Sequence, residues 1–444
     1  MDAWHRSHSE GTLGRESPGT VPASANGRGY AFPGREHRLG ARNGHRHRPH
    51  PLRGHGRGRN RIRSGVRMTE FPYISDERRM EMLAPQPGRV RVLIDTDAAN
   101  EVDDQFAITW GLLSPERLDI EAIVAAPFSR AYFREPLLAA ARANVDHSTA
   151  AEVDDIAAWV HRLRAAGIDP KDVTFETVAE GMEMSFAEIG TLMGWLGMSS
   201  DGVAFRGADR FMESPNDIVD SEGARRIIEA AMADDDRLLH VVAIGAVTNI
   251  AAALLMEPEI ITRMVVSWTS GFPTFVRFSN SPSMNLVQDQ HASRLLFDSG
   301  VPLLYLPGYY IGEQLVMSLP ESERWVNGRG EIGSYLHYLY TNNRLRAQRL
   351  VEPFPGQSWV CWDFINFAWL IDPSWVPTAF VPTPTLDHDL KWRHLPGRPL
   401  MSEATDVDRD AVYRDFFHKL DRHSRAVDKL PHGVGPAPSD TACC

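Results

Sequence analysis

The chain has 444 residues, of which 43% are hydrophobic, so it is long and apolar enough to bury a large core. Its formal net charge of −11 is unevenly spread, because residues 1–67 hold 14 arginines, no lysine and four acids, which leaves −21 on the rest. Such an acidic body argues against nucleic acid as a partner, since a phosphate backbone needs a basic surface.

The two ends of the chain differ from its middle. Residues 1–67 are rich in Arg, Gly, His and Pro and contain too little apolar surface to fold, so they predict a disordered basic arm. The alternative is a misassigned start, with translation beginning at Met68. Residues 430–444 are rich in Pro and Gly and predict a disordered tail. The folded domain is therefore assigned to residues 89–420.

Cysteine usage and targeting signals bear on the compartment. The cysteines Cys361, Cys443 and Cys444 form neither a disulfide framework nor a metal-binding pattern, which is typical of a reducing environment. No apolar run reaches about 18 residues, and no signal-peptide pattern is present. We therefore expect a cytoplasmic protein without a membrane partner.

From residue 89 the sequence alternates between strand and helix patterns. Residues 89–94 and 118–125 are β-branched runs that predict buried strands, and a helix opens between them at Asp103. This order is typical of parallel strands joined by right-handed crossovers. The alternation resumes later, with helices at 221–233, 363–371 and 408–420, a helix opening at 245–251, and strands at 238–244, 264–268 and 301–306. We predict an α/β fold with a mainly parallel central sheet flanked by helices.

A helical insertion interrupts this alternation at residues 134–178. The segment is acidic and rich in alanine, and we expect it at one edge of the sheet. Because it follows a predicted strand, it is expected near the carboxyl end of the sheet, where it would act as a lid. Its acidic pair Asp154-Asp155 follows no strand and is interpreted as a solvated helix face.

Four acids lie where the first predicted strand gives way to a helix. Asp95 and Asp97 end the strand, and Asp103 and Asp104 open the helix. Ligands of parallel α/β sheets bind beyond the carboxyl ends of the strands. Four carboxylates there would repel one another unless a cation were bound, and hard oxygen ligands suit Ca²⁺ or Mg²⁺. The alternative for Asp103 or Asp104 alone is a capping role at the helix start.

Four stretches of the sequence form a recognisable series. They are Ile94-Asp95-Thr96-Asp97 with Asp103-Asp104-Gln105-Phe106-Ala107, Ile244-Gly245-Ala246-Val247-Thr248-Asn249-Ile250-Ala251, Met284-Asn285-Leu286-Val287-Gln288-Asp289, and Trp362-Asp363 with Phe367-Ala368-Trp369-Leu370. They cover most of residues 89–420 apart from the insertion. Taken in order, they resemble the inosine-uridine-preferring nucleoside hydrolases, and the longer acidic loop suggests a divergent branch of that family.

The resemblance implies a metal-dependent hydrolase that cleaves the N-glycosidic bond of a ribonucleoside or related N-riboside and assembles as a homo-oligomer. Its implied ligands for Ca²⁺ are the carboxylates of Asp97, Asp104 and Asp363 and the backbone carbonyl of Ile244. Asp97 would also act as general base on a calcium-bound water. Asp103 and Asn285 would hold ribose hydroxyls, and Asp95 would support the ligands from behind. For Thr248 and Asn249 a helix-capping role is preferred.

The sequence departs from the family pattern in three places. The loop between Asp97 and Asp103 is two residues longer than in the best-known members, so that Glu101 either points at the site or starts the helix. Trp362 stands where many members carry a histidine that protonates the leaving group, so it is assigned either to stacking on a base or to core packing. The ribose segment is poorly matched; Asn280 is a substitute, and Ser283 stands where an acid is common. His291, Tyr309 and Tyr310 are conceivable acids for the leaving group.

Two alternative functions stay open. Leu93-Ile94-Asp95-Thr96-Asp97 superficially fits a haloacid-dehalogenase-type phosphatase, with Asp95 as the nucleophile, although this leaves Asp103 and Asp104 unexplained. The second alternative function is a non-catalytic protein that binds metal and ribose, since Trp362 cannot donate a proton to the leaving group.

Overall fold

The computed structural model describes residues 69–143, 155–281, 283–350 and 358–427, so the predicted basic arm (1–67), the predicted tail (430–444) and the side chains of Asp154 and Asp155 lie outside it. The described strands are β1 (Val90–Thr96), β2 (Leu118–Ala125), β3 (Ala204–Arg206), β4 (Leu239–Ala243), β5 (Met264–Ser270), β6 (Leu303–Pro307), β7 (Val316–Ser318), β8 (Ser358–Val360), β9 (Thr378–Pro382), β10 (Thr385–Leu386), β11 (Trp392–Arg393) and β12 (Leu400–Ala404). The described α-helices are α1 (Asp76–Leu83), α2 (Asp103–Leu112), α3 (Arg134–Ala143), α4 (Asp155–Ala165), α5 (Val178–Trp195), α6 (Glu222–Ala231), α7 (Thr248–Met256), α8 (Met284–Val287), α9 (Gln290–Asp298), α10 (Leu319–Glu321), α11 (Gly330–Asn342), α12 (Arg344–Ala347), α13 (Phe364–Ile371) and α14 (Arg409–Val427).

Eight strands form the central sheet in the order β3-β2-β1-β4-β5-β6-β12-β9. All neighbouring strands pair in parallel except β12 and β9, which are antiparallel. Every residue of β1 is buried, as expected for a strand covered by helices on both faces. The predicted α/β fold with a mainly parallel sheet is therefore confirmed.

The strand order reverses between β1 and β4. The chain runs outward from β1 through β2 to β3, and then returns to place β4 on the other side of β1. A crevice opens beyond the carboxyl ends of the strands at such a switch point, because the two connections leave in opposite directions. The residues that follow β1 and β4 therefore lie at the preferred ligand site of this architecture.

Helices α2 and α13 pack closely on the sheet. A Cβ atom added at Gly111 in α2 would lie only 2.5 Å from a ring carbon of Phe367 in α13, so only glycine permits this approach. Both helices are almost wholly buried. The two helices also start beside each other, because the carboxylates of Asp103 and Asp104 at the start of α2 lie close to that of Asp363 before α13.

The folded unit extends beyond the predicted 89–420 at both ends. Helix α1 places Met82 and Leu83 in the main core, and the Arg79 side chain donates a hydrogen bond to the Gly300 carbonyl at 2.9 Å. Helix α14 continues to Val427. The sequence analysis also missed α5, α11, the edge strand β9 and its neighbour β12.

The insertion at 134–178 contains the helices α3 and α4, which share a small core of their own. This core includes Leu137, Trp159 and Leu163 and is separate from the main one. The Trp159 indole N–H donates to the Gln348 carbonyl at 2.9 Å, so the insertion also contacts the segment after α12. Within the described ranges, we find no helix that is both long and apolar enough to cross a membrane.

Candidate active site

Three carboxylates meet beyond the carboxyl ends of the central strands. Asp103 and Asp104 are the first residues of α2 and Asp363 immediately precedes α13, so the packing of the two helices brings them together. Their carboxylate oxygens lie within 4.8 Å of one another, and all three side chains are buried. Asp104 and Asp363 were predicted as metal ligands and Asp103 as a ribose contact, and the structure places all three in one group.

Asp97 lies beside this group without being one of the three. It directly follows β1 and accepts a hydrogen bond from the Asn100 side-chain amide at 3.1 Å. Its negative charge raises the pKa of both Asp104 and Asp363, which shows that it faces the same space. Its assignment as metal ligand and general base stays a prediction.

All four aspartates have pKa values above the ordinary range of a carboxyl group. Burial is the largest cause at each, and repulsion from neighbouring carboxylates adds to it. The pKa of Asp103 is raised to about 7, and its side chain shares a hydrogen bond with that of Asp363, whose pKa lies well above its usual range. A cation would remove this repulsion, and a purely oxygen donor set suits a hard ion such as Ca²⁺. The residues therefore fit a bound metal ion.

The longer acidic loop brings Glu101 to the same place. Burial and the charge of Asp103 raise the pKa of Glu101 to about 8, while the charge of Arg130 lowers it. In turn, Glu101 raises the pKa of Asp97 and Asp104. Of the two roles that the sequence left open, the structure supports the one in which Glu101 points at the site.

Ile244 and Asn285 lie where β4 and β5 end. The Ile244 carbonyl, predicted as a metal ligand, accepts a hydrogen bond from the Asn285 side-chain amide at 3.2 Å. The same amide nitrogen also donates to the Thr269 carbonyl at 3.2 Å. Asn285, predicted to hold ribose, is thus fixed against two strand ends, and both predicted roles remain untested.

The capping roles expected of Thr248 and Asn249 are wrong. Helix α7 is preceded by Val247 without a described side-chain cap, and the Asn249 amide instead donates to the Asp95 carboxylate at 2.8 Å. The Thr248 hydroxyl donates to Asp289 at 2.8 Å. Burial raises the pKa of Asp95 to about 7, and the Asn249 bond opposes that shift. Asn249 therefore ties α7 to β1, and Thr248 ties it to the residue that precedes α9, instead of closing its first turn.

Aromatic rings stand next to the acids. Trp362 meets Tyr309 edge-on with ring centroids 5.7 Å apart, and Tyr309 stacks on Phe272 at 4.5 Å. Trp362 directly precedes Asp363, and Tyr309 is close enough to Glu101 for that charge, after burial, to raise the pKa of its phenol. Sequence reasoning missed Phe272, which carries no motif; only its neighbour Gly271 hinted at a turn.

The departures in the ribose segment have a structural explanation. Asn280, the expected substitute, accepts from the Phe272 N–H at 2.7 Å and donates to the Leu390 carbonyl at 2.8 Å. It thus holds two loops together, and its role toward ribose stays a prediction. Ser283 accepts from the Gly271 N–H at 2.8 Å. Both side chains shape the loop that carries Phe272.

Comparison with known proteins agrees with this geometry. The family model described as inosine-uridine preferring nucleoside hydrolase matches residues 149–414, more than half of the chain. The chain therefore belongs to the inosine-uridine preferring nucleoside hydrolase family, as its motifs predicted. This membership removes the support for a haloacid-dehalogenase-type phosphatase, which the buried, amide-bonded Asp95 also does not favour.

Individual relatives are distant. The putative pyrimidine-specific ribonucleoside hydrolase RihB of Shigella boydii serotype 4 is 32% identical over 108 residues, which are 24% of this chain and 41% of that protein. RihB of Escherichia coli K12 DH10B has the same identity over 108 residues, 24% of this chain and 32% of its own length. The chain thus spans less than half the length of these curated relatives. A solved inosine-guanosine nucleoside hydrolase shares the fold, with a TM-score of 0.50 and 16% identity over 75% of this chain and 99% of that one.

Proposed function

We propose that the protein is a metal-dependent hydrolase that cleaves the N-glycosidic bond of a ribonucleoside or a related N-riboside. The observation that carries this proposal is the group of buried acids at the switch point of the sheet, in a chain of this family. Buried like charges are costly to keep unless a cation or a reaction uses them. By the same resemblance we propose Ca²⁺ as the ion, a homo-oligomer as the assembly and the cytoplasm as the location.

The reaction requires a base and a stabilised cation. Water adds its oxygen to the anomeric carbon, the bond from that carbon to the base nitrogen breaks, and its electron pair leaves with the base. The ribosyl group passes through a cationic state, for which flanking carboxylates are suited, as in O-glycosidases. Asp97 is the proposed acceptor of the water proton, because it lies beside the acid group on its own loop.

Asp97, Asp104, Asp363 and the Ile244 carbonyl are the proposed ligands of the metal. When bound, Ca²⁺ supplies positive charge that offsets these carboxylates and lowers the pKa of a neighbouring water. Asp103 and Asn285 are assigned to the ribose hydroxyls, so that the diol and the attacking water are held in one orientation. Because the pKa of Asp103 is raised to about 7, this carboxyl group needs the positive charge of the bound ion to be fully ionised at neutral pH.

The departing base is assigned to the aromatic rings beside Asp363. Trp362 offers a ring face, and stacking suits any nucleobase. Tyr309 lies next to it, but burial raises its pKa, which makes its phenol a weak acid. The base therefore leaves either as an anion stabilised in the pocket or with a proton from solvent.

A second candidate function is binding of metal and riboside without turnover. The observation that favours it is the position of Trp362, an aromatic residue without an acidic proton beside Asp363. It predicts tight binding of a nucleoside in the presence of Ca²⁺ and no release of sugar.

Release of reducing sugar from purine, pyrimidine and nicotinamide ribosides tests the proposal. The full chain is assayed with Ca²⁺ and after chelation, beside the variants Asp97→Asn and Asp119→Asn. Asp119 is the matched control, because it is an acid at the opposite end of the sheet, where Arg89 pairs with it at 2.9 Å. We expect turnover that chelation and Asp97→Asn abolish and Asp119→Asn leaves intact. Binding without turnover across the whole panel would establish the second candidate instead.

A further inference from the structure

A buried guanidinium beside the acidic loop is only partly satisfied. Arg130 lies just beyond the carboxyl end of β2 and is 1% exposed. Its Nε and Nη2 atoms donate to the two carboxylate oxygens of Glu176 at 3.0 and 3.1 Å. Its Nη1 atom is buried and has no hydrogen-bond partner among the described residues. A buried charged donor without a partner is costly, so a partner that arrives with a ligand or water is expected.

A second buried hydrogen-bond donor, on Gln288, also lacks a partner among the described residues. The Gln288 side-chain oxygen accepts a hydrogen bond from the Ser129 N–H at 2.7 Å, which fixes the orientation of its amide. The Gln288 Nε2 atom is buried and, within the described ranges, lacks a partner. Gln288 is therefore bonded to the residue that directly precedes Arg130 in the chain.

Both donors lie close to the proposed reaction site. Arg130 lowers the pKa of Glu101, yet the described residues contain no ion pair between the two side chains. Gln288 follows Asn285 by three residues, and Asn285 donates to the Ile244 carbonyl. Arg130 is therefore linked to the acidic loop through Glu101, and Gln288 lies one helical turn after Asn285.

Two guanidinium groups lie at the Glu176 carboxylate. It pairs with Arg130 at 3.0 Å and also lies 3.8 Å from the Arg344 guanidinium. The charge of Arg130 also lowers the pKa of Glu101, yet its Nη1 atom has no hydrogen-bond partner among the described residues. A ligand group that supplied negatively charged oxygen would give Nη1 an acceptor in a charge-assisted hydrogen bond. A neutral aliphatic group would supply no acceptor.

We propose that Arg130 and Gln288 form a subsite for an anionic oxygen group of the substrate, either a phosphate or a carboxylate. This inference rests on the proposed riboside specificity and adds to it a preference for charged over neutral ribosides. Glu176 acts as a positioning residue, because it holds the guanidinium in place without touching the ligand.

Three probes separate the two sources of that charge. Uridine is neutral, uridine 5′-phosphate carries its anion on the sugar, and orotidine carries a carboxylate on the base. Binding of each probe is measured by calorimetry with Ca²⁺, and kcat/KM is measured in parallel. We expect at least tenfold tighter binding of one anionic probe than of uridine, and the preferred probe names the position of the subsite.

Variants then assign the preference to these residues. Gln288→Glu keeps the oxygen that accepts from Ser129 but replaces the Nε2 donor, and it is expected to abolish the anion preference while uridine binding changes less than twofold. Arg130→Gln should also abolish the preference for the anionic probe over uridine. Arg91→Gln is its matched control, because Arg91 forms a similar buried pair with Glu121 at the other end of the sheet and its Nη1 donates to the Arg237 carbonyl at 3.3 Å. If Arg130→Gln fails to fold, Gln288→Glu decides alone.

The outcomes distinguish this inference from the function on which it rests. Equal binding of all three probes, or an anion preference that survives Gln288→Glu, overturns the subsite even if uridine is hydrolysed. Anion preference without turnover supports the subsite and overturns the hydrolase. Absence of binding by every probe overturns the subsite, and it overturns the hydrolase as well only when the purine and nicotinamide ribosides also release no sugar.

Discussion

The two ends of the central sheet carry buried charge in opposite ways. At the amino ends of β1 and β2, the buried Arg91 pairs with Glu121 at 2.5 Å. At the carboxyl ends, carboxylates face one another at the acid group, with no cation of the described chain bound among Asp103, Asp104 and Asp363. Charges that are matched stabilise the fold, whereas these like charges oppose it until a cation arrives. The difference separates the end that holds the sheet together from the end proposed to react.

The largest expected effect is on catalysis at the carboxyl end. Asp97→Asn removes the proposed base but preserves an acceptor for Asn100, so kcat is expected to fall by about 10²- to 10⁴-fold. Asp119→Asn makes the same chemical change at the amino end and should leave kcat within twofold. Steady-state assays with saturating Ca²⁺ measure both. A fall of less than about fivefold for Asp97→Asn would show that another group takes the proton.

A comparably large effect on stability is expected at the amino end. Arg91→Met leaves Glu121 without its cation and removes the hydrogen bond to the Ala230 carbonyl at 2.7 Å. Breaking a buried pair in this way costs roughly 3 kcal/mol of the free energy of unfolding. Urea denaturation of the metal-free and calcium-saturated protein measures it. Unchanged stability would mean that the matched charges contribute nothing to the sheet.

Removing a charge from the carboxyl end should raise the stability of the metal-free protein, whereas removing Arg91 from the amino end should lower it. Asp363→Asn removes a carboxyl group whose pKa burial and the charges of Asp103 and Asp104 hold well above its usual range, so the metal-free protein is expected to be more stable at pH 8. The same change should weaken Ca²⁺ binding. The calcium-saturated protein is the internal control, because there the wild type should be the more stable of the two. A metal-free variant that is less stable than wild type would contradict the repulsion argument.

The pH dependence of the metal-free protein sharpens the same contrast. Folding raises the pKa of Asp95 and Asp103 to about 7 and that of Glu101 to about 8, well above the values of about 4 in an unfolded chain. The folded state therefore binds more protons, and this part of the stability is complete below about pH 4 and is lost as pH rises through 7 and 8. Melting temperatures between pH 5 and 9 should fall without metal and fall less with Ca²⁺. A rise across that interval would show that these acids do not dominate.

The smallest expected effect concerns the aromatic rings. Trp362→Leu removes the ring proposed to stack on the base, and the loss of about 1 kcal/mol raises KM about fivefold with little change in kcat. Trp325→Leu is the control, because Trp325 is partly exposed and stacks on Phe417 away from the acids. Equal KM values for the two variants would assign Trp362 to core packing.

Local patterns accounted for the parts of the site that are close in sequence. Asp97, Asp103 and Asp104 were predicted because a buried strand and a helix start flank them within a few residues. Asp363 needed the family resemblance, since only the packing of α2 against α13 brings it near.

Long-range contacts escaped the sequence analysis for a physical reason. Asn249 was mistaken for a cap because its partner Asp95 lies 154 positions away. Arg130 and Glu176 are 46 positions apart and carry no motif, so nothing local marks them as a pair. The orientation of the Glu101 side chain depends on the conformation of the loop between Asp97 and Asp103, which the number of residues in that loop does not decide.

The hydrogen bond shared by Asp103 and Asp363 has a consequence for how the protein exchanges ions with its surroundings. One of these carboxyl groups must carry the hydrogen, and a carboxyl group has to lose it before its oxygen can ligate a metal. If the proposed calcium ion binds here, loading the site would acidify the medium, because calcium and acid would compete for one place. In a lightly buffered solution, the number of equivalents of acid released per calcium ion would count the carboxyl groups that gave up a hydrogen.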